Sequence, residues 1–468
     1  MSGFWSAAGE AIVGFSDFIC GYPLFILLIG GGLFFLVYSR FAPLRRYGSA
    51  IRALAVKDEG GSGQISSVEA FLSAIAATVG LGSIAGVAIA LSVGGPGAVF
   101  WMWVSALAGM ATKFFEGTLS VMYKGKDSAG EVQGGPMYMM VEGLGPKWRP
   151  AAILFCCAGL LGTLCVMQSN QLTEALLTVF PPERGENPEI RFFIGAAIAL
   201  IVALVIFGGI SRISKVATRL VPVMVGLYFL MILYIIFSHL SLVPEVFGSI
   251  FREAFRIDAA AGGVAGGIVH VALTGVRRAT LVNEAGVGTA SMMHGASRNS
   301  EPVREGLVAM LGPSIDSGLV CTITAVAILI GRAVAPGILP EGGGFGSVQG
   351  LRVALGAFDA TIPAVGKYLL LVVVLCFSFS TMFSYSYYGR KCFGFLFGAR
   401  RSHWYNWFFL VMLVIAAVVP LSVAVSLIDG AYALMAFPTM AALLLLAPKA
   451  RRRMDLYFKT DSKNTPKI

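Results

Sequence analysis

TVGLGSIAGVAIALSVGGPGAVFWMW, Thr78 to Trp103, is almost wholly apolar yet carries six glycines. Gly80, Gly82 and Gly86 fall where a helix is expected, and each costs a helix interior roughly 1 kcal/mol relative to Ala. A sequence tolerates that where backbone rather than side chain is wanted. Gly94, Gly95 and Gly97 need no such account, because GGPG reads as the turn into the next apolar segment.

The rest of the chain says what solvent surrounds that stretch. Of 468 residues, 57% are hydrophobic and only 13% charged, and the mean hydropathy is +0.80, outside the range of soluble domains. Apolar runs near the roughly 20 residues that cross a bilayer recur along the whole length. Eleven spans are expected, near 23–39, 66–93, 97–122, 151–179, 192–210, 217–240, 260–276, 305–331, 364–388, 404–420 and 424–447. No long Pro- or Ser-rich linker divides them. Residues 1–448 therefore read as one transmembrane domain: an extra helix at 23–39, a first repeat at 66–240 and a second at 260–447. Residues 449–468 form a basic tail.

Cytoplasmic loops collect Lys and Arg. With the N-terminus outside, 27 of the 35 basic residues fall in inner segments, Arg277–Arg304 and Lys449–Lys467 among them; seven fall in outer ones and Lys113 inside a span. This predicts an outside N-terminus and an inside C-terminus. The net charge of +10 then reflects topology and implies no nucleic acid. The tail can also touch anionic membrane lipid, although orientation alone accounts for it. The first 22 residues lack the basic start of a cleaved signal peptide, so the first span is kept. Seven cysteines show no metal-ligand spacing.

Three classes compete: enzyme, channel and transporter. The four histidines are scattered, without HExxH or a nearby carboxylate pair, so an enzyme is not expected. Repeated pore loops or rings of charge, as a channel needs, are not evident. A transporter of inverted halves predicts two glycine-interrupted spans at corresponding places. From the second span onward, five spans precede the loop near residue 250 and five follow, so the halves must run in opposite directions. ATVGLGSIAG (77–86) heads the first half and AAGGVAGGIVH (260–270) the second. Interrupted helices free N–H groups at one half and C=O groups at the other, a geometry that suits a zwitterion. Close helix packing also selects small residues; the equivalent positions of Gly80 and Gly82 and of Gly262, Gly263, Gly266 and Gly267 favour the ligand reading.

The opening stretch, followed by GMATKFFEGTLS, GGPMYMM (134–140), TGVRRATLVNEAGVGTA (274–290), IDSGLVCTITA (315–325) and FSFSTMFSYSYYGRKCFGFLFG (377–398), resembles the alanine or glycine:cation symporter family, the sodium:alanine symporters of bacteria and archaea. The resemblance runs in order over about residues 64–400. It implies an all-α polytopic membrane protein of the amino acid–polyamine–organocation superfamily, with a leucine-transporter-like five-plus-five inverted repeat, here preceded by one extra helix. It also implies symport of small neutral amino acids such as alanine, glycine and serine with sodium, across the cytoplasmic (inner) membrane of a prokaryote. No cofactor is expected beyond sodium as the coupling ion. Coupling to protons is the alternative, and a channel the more distant one.

By this resemblance Ser380 and Thr381 complete a sodium site with the carbonyls of Ala76 and Val79; hard cations prefer such all-oxygen cages. Hydroxyls on a span also back-bond within their own helix. The substrate is expected at Thr78, Gly80, Leu81, Gly82 and Ser83, with Gly262 and Gly263 opposite. Thr381 and Tyr385, four apart on one helix face, join it. Gln168 and Asn170 are two apart, so at most one of them is a contact. The chain departs from the usual family pattern at Leu81, Ser83 and Tyr385, where Thr, Asn and Trp are common, which puts the choice of amino acid in doubt. Among ionisable residues at membrane depth, Lys113 and Glu116 are expected to pair, and Asp316 and Glu174 to be hydrogen-bonded structurally. Asn283 and Glu284 are expected on the cytoplasmic side, at an inner gate.

Overall fold

The computed structural model describes residues 14–56, 61–179, 187–255, 264–338 and 350–464. Helices dominate. α1 (Gly14–Tyr38) and α2 (Tyr47–Ala55) lead to α3 (Ser67–Thr78), α4 (Gly82–Gly94) and α5 (Gly97–Met122). A hairpin of β1 (Gly125–Lys126) and β2 (Val132–Gln133) follows. Next come α6 (Arg149–Gly162), α7 (Val166–Leu177), α8 (Pro188–Ile206), α9 (Gly209–Ser238) and α10 (Val243–Ala254). The second half holds α11 (Val264–Asn283), α12 (Thr289–His294), α13 (Pro302–Val334), α14 (Leu351–Thr361), α15 (Gly366–Phe397), α16 (Trp404–Ala416) and α17 (Leu421–Asn464).

Eight described segments are long and apolar enough to cross a bilayer: α1, α5, α6 with α7, α8, α9, α13, α15 and α17. The pair α3–α4, bent by 47°, makes a ninth. The protein is thus a multi-pass membrane protein. The two remaining expected spans coincide with α11–α12 and with α16, whose 13 residues rise only about 20 Å. Large apolar side chains such as Phe193, Leu204, Val223 and Leu230 are exposed on α8 and α9, as suits helices facing lipid, whereas α5 is buried along most of its length.

α3 starts on a capping box: the Ser66 hydroxyl accepts the Glu69 amide (3.2 Å), and the Glu69 carboxylate accepts the Ser66 amide (2.9 Å). It stops at Thr78, where the glycines of the opening stretch begin. The second interrupted span runs the other way. Ile65 bridges to Ser297 and the Ser67 hydroxyl donates to Glu305 (2.6 Å), so α3 begins where α12 has just ended. At the far end, Gly94 lies against Thr274, and Gly275 has room for no side chain against Ala98. The opposite directions required by five spans per half are therefore present. α10 was not expected from sequence; its Ala254 carbonyl accepts from Trp101 Nε1 (3.3 Å) beside the GGPG turn.

Two expectations about α11 need correction. Its helix continues through Gly266 and Gly267 and on past 276 to Asn283, so these two glycines do not interrupt it. Gly262 and Gly263 lie outside the described residues. Nor do Arg277 and Arg278 belong to a loop at the tail end: they sit within three or four residues of Thr274, which packs at the GGPG turn. Both are held by carboxylates. Arg277 pairs with Asp429 (2.7 Å) and Asp17 (2.8 Å), and Arg278 with Asp429. These pairs fasten α11 to α1 and α17. Removing one partner of a buried pair leaves an uncompensated charge, so Asp429→Asn should cost about 3–5 kcal/mol. The expected sign is a clear fall in the melting temperature of the purified protein; an unchanged melt would refute the clamp.

Candidate functional site

At the first interruption α3 ends with Val79 outside helical geometry (ψ 78°). Gly80 N–H turns back to Thr78 O (2.8 Å), and Ser83 N–H to Gly80 O (3.1 Å). Among the described residues the amides of Leu81 and Gly82 have no such backbone acceptor. Gly80 is required by contact, because a Cβ there would run into the Thr381 hydroxyl. Gly82 faces Leu281 O and Val282 on α11. Thr78 donates to Ala74 O (3.1 Å), and Ser83 is fully buried, with its hydroxyl 3.5 Å from Thr78 O.

Ser380 and Thr381, buried on α15, lie against the C-terminal turn of α3. The Ser380 hydroxyl is 3.1 Å from Ala76 O; that of Thr381 is 3.3 Å from both Ala76 O and Ala77 O. Both also reach Phe377 O in their own helix (2.9 and 3.0 Å). One turn on, Ser384 donates to Ser73 O (3.1 Å). Two hydroxyls thus stand over helix-end carbonyls that carry partial negative charge. Val79 is buried next to this corner, and its amide bonds Ile75 O (2.7 Å).

The second interruption spans Glu284 to Gly288. Glu284, Gly286 and Gly288 all have positive φ (53°, 85° and 96°); for Glu284 that backbone is uncommon, and strain of this kind clusters at functional sites. Asn283 shapes the turn by accepting the Ala285 amide (3.0 Å) while donating to Ser317 (3.1 Å). Glu284 is fully buried rather than at an inner surface. Its carboxylate accepts from the Tyr385, Tyr432 and Thr289 hydroxyls. The two tyrosine oxygens also lie against each other, and with one proton each they divide the Glu284 and mutual contacts between them. The sequence singles out Asn283 and Glu284 for an inner gate but does not show the interruption there, whose signal is NEAGVG itself, two glycines and a carboxylate within an apolar surround.

Gln168 and Asn170 separate cleanly. Asn170 donates to Ala416 O (3.3 Å) and Val419 O (2.5 Å), holding α7 to the end of α16. Gln168 is buried, and its carbonyl oxygen has no partner among the described residues. Both follow a kink at Thr163–Cys165, where Cys165 has φ 54°. Glu174 is structural, gripped by Arg191 (2.5 Å) and Arg352 (2.6 Å). Glu116, which interacts electrostatically with Lys113, also accepts the Gly286 amide (2.5 Å), tying α5 to the second interruption. Asp316 is buried, with the Thr78 hydroxyl and the Lys113 ammonium beside it. With Thr78, Lys113 and His294 it lines a cavity of about 10 Å³, room for about one water.

Two helix interruptions lie against each other where Gly82 meets Leu281 and Val282, with hydroxyls on a third helix over carbonyls of the first. Residues 6–468 match the profile described as the Sodium:alanine symporter family. The chain belongs to this family. Members are transporters, so the symporter is not an enzyme. It is 34% identical over 440 residues, 92% of its own length and 93% of the relative's, to a protein named sodium/alanine symporter AgcS from Methanococcus maripaludis. It is 32% identical over 446 residues, 94% and 88% of the two lengths, to one named probable sodium/glutamine symporter GlnT from Bacillus subtilis. Among solved structures, the symporter shares the fold of MhsT, determined in complex with L-phenylalanine: TM-score 0.59 at 15% identity, over 85% of this chain and 99% of that one.

Proposed function

We propose that this amino-acid:cation symporter carries a small neutral amino acid together with sodium across the cytoplasmic membrane of a prokaryote, its N-terminus outside and its basic tail inside. The observation that carries the reading is the corner where Ser380 and Thr381 meet the carbonyls of Ala76 and Ala77. Sodium fits there, with Val79 as a further carbonyl ligand, and it neutralises the end of α3 next to the substrate. The substrate carboxylate takes the amides of Leu81 and Gly82. Its ammonium takes the second interruption at Glu284. Thr381, Tyr385 and Gln168 surround the substrate side chain, and Thr78 and Ser83 brace the turn beneath it.

Names of relatives include both alanine and glutamine, which supports a pocket graded by size. One methylene changes affinity by only about 1–3 kcal/mol. Alanine, glycine and serine should therefore each raise the melting temperature of the purified protein, and more so in sodium than in potassium. Tyr385→Trp should narrow the set toward glycine and alanine; an unchanged profile would place Tyr385 away from the ligand. Asp316, buried beside Thr78 and Lys113 on a cavity of about 10 Å³, favours a second reading, in which a proton replaces or accompanies sodium.

A further inference from the structure

A second cavity opens at the end of the bundle that bears the tail, where Lys449 donates to Gly143 O (3.1 Å). It measures about 500 Å³. One wall is a single face of α15: Tyr387, Arg390, Lys391, Gly394 and Phe395, at the spacing of successive helical turns. The facing wall includes Asp127 and Glu131 of the β1–β2 hairpin. Lys391 lies ten residues beyond Thr381 on the same helix, about 15 Å along its axis.

The chemistry of this wall is unfinished. The Lys391 ammonium is shielded from solvent without a hydrogen-bond partner among the described residues, and so is the Tyr387 hydroxyl; the ammonium lies 4.9 Å from the Tyr387 ring centre. Burying such groups unpaired is costly. By contrast, Asp127 is held firmly, accepting from Gln133 Nε2 (2.7 Å) and the amides of Ala129 (2.9 Å) and Glu131 (3.1 Å). Arg390 is anchored through Nε to Ser402 (3.1 Å). The cavity therefore sets unsatisfied donors on one side against the held carboxylate of Asp127 and the exposed one of Glu131 on the other.

We infer that this cavity is a second binding site for the transported amino acid on its way out, with the α-carboxylate on Lys391 and Tyr387 and the ammonium toward Asp127 and Glu131. Opposed charges on two walls suit a zwitterion better than an anion. The inference rests on the proposed function, since only a transported solute would need a stop between the central site and this mouth.

The test uses the full chain in right-side-out and inside-out membrane vesicles, with labelled alanine presented from either face. Wild-type transport is the control: its absence would defeat the functional reading, not this one. Given transport, Lys391→Met should weaken half-saturation from the tail face by about tenfold, as expected for a lost hydrogen bond to a charge. Half-saturation from the opposite face should stay within about twofold. Tyr387→Phe should act in the same direction, and Lys391→Arg should restore the wild-type value. Equal values from both faces in Lys391→Met, whether both weakened or both normal, would overturn the site. Competition by acetate as strong as by alanine at the tail face would make it a plain anion site and equally overturn the assignment.

Discussion

Glu284→Gln abolishes sodium-driven amino-acid uptake while leaving the amount and the melting temperature of the protein near wild type. The substitution keeps shape and removes only charge and acceptor strength. Three hydroxyls, from Tyr385, Tyr432 and Thr289, converge on this fully buried carboxylate, and it is the substrate ammonium's partner in the proposed arrangement. Hydrogen bonds to charged groups contribute about 1.5–3 kcal/mol each, so losing the ammonium contact together with one hydroxyl contact predicts a fall of roughly 100-fold or more in transport efficiency. Uptake within a fewfold of wild type would reduce Glu284 to a packing residue and leave the second interruption without a role.

Ser380→Ala combined with Thr381→Ala raises the sodium concentration for half-maximal uptake by about tenfold or more, because two oxygens leave the cation's shell and no water can readily replace them in a buried corner. Half-saturation by alanine at saturating sodium changes much less. That split separates a cation site from general damage. Both hydroxyls also bond Phe377 O within α15, so the competing expectation is a double variant that loses stability and keeps an ordinary sodium response. Sodium titration of uptake decides between them.

The parts of this molecule that were legible in the sequence are those where one physical signal dominated. α5 was readable to the residue, because GGPG sets its start and its apolar residues run on past Lys113 and Glu116 to the hairpin. The first interruption was readable because Gly80 and Gly82 follow an otherwise good helix. The second was less legible for a physical reason: glycines such as Gly266 and Gly267 look identical whether they break a helix or let it pack closely, and only tertiary contact tells the two apart. A break also falls at a carboxylate, Glu284, and charge in a membrane sequence is most simply read as a loop. The same rule displaced Arg277 and Arg278, whose counter-ions Asp17 and Asp429 lie 151 to 260 residues away in the chain. Asn170 and Gln168 could not be ranked by spacing; the end of α16 claims the first and leaves the second.

The central claim is that the two interruptions and the hydroxyls of α15 form one site coupling an amino acid to sodium. Purified protein in proteoliposomes, given labelled alanine under an imposed inward sodium gradient without a proton gradient, tests it directly. Transient accumulation above the external concentration, abolished when sodium is equalised across the membrane, is the predicted result. Accumulation driven as well by a proton gradient alone, or a sodium current indifferent to the amino acid, would contradict it.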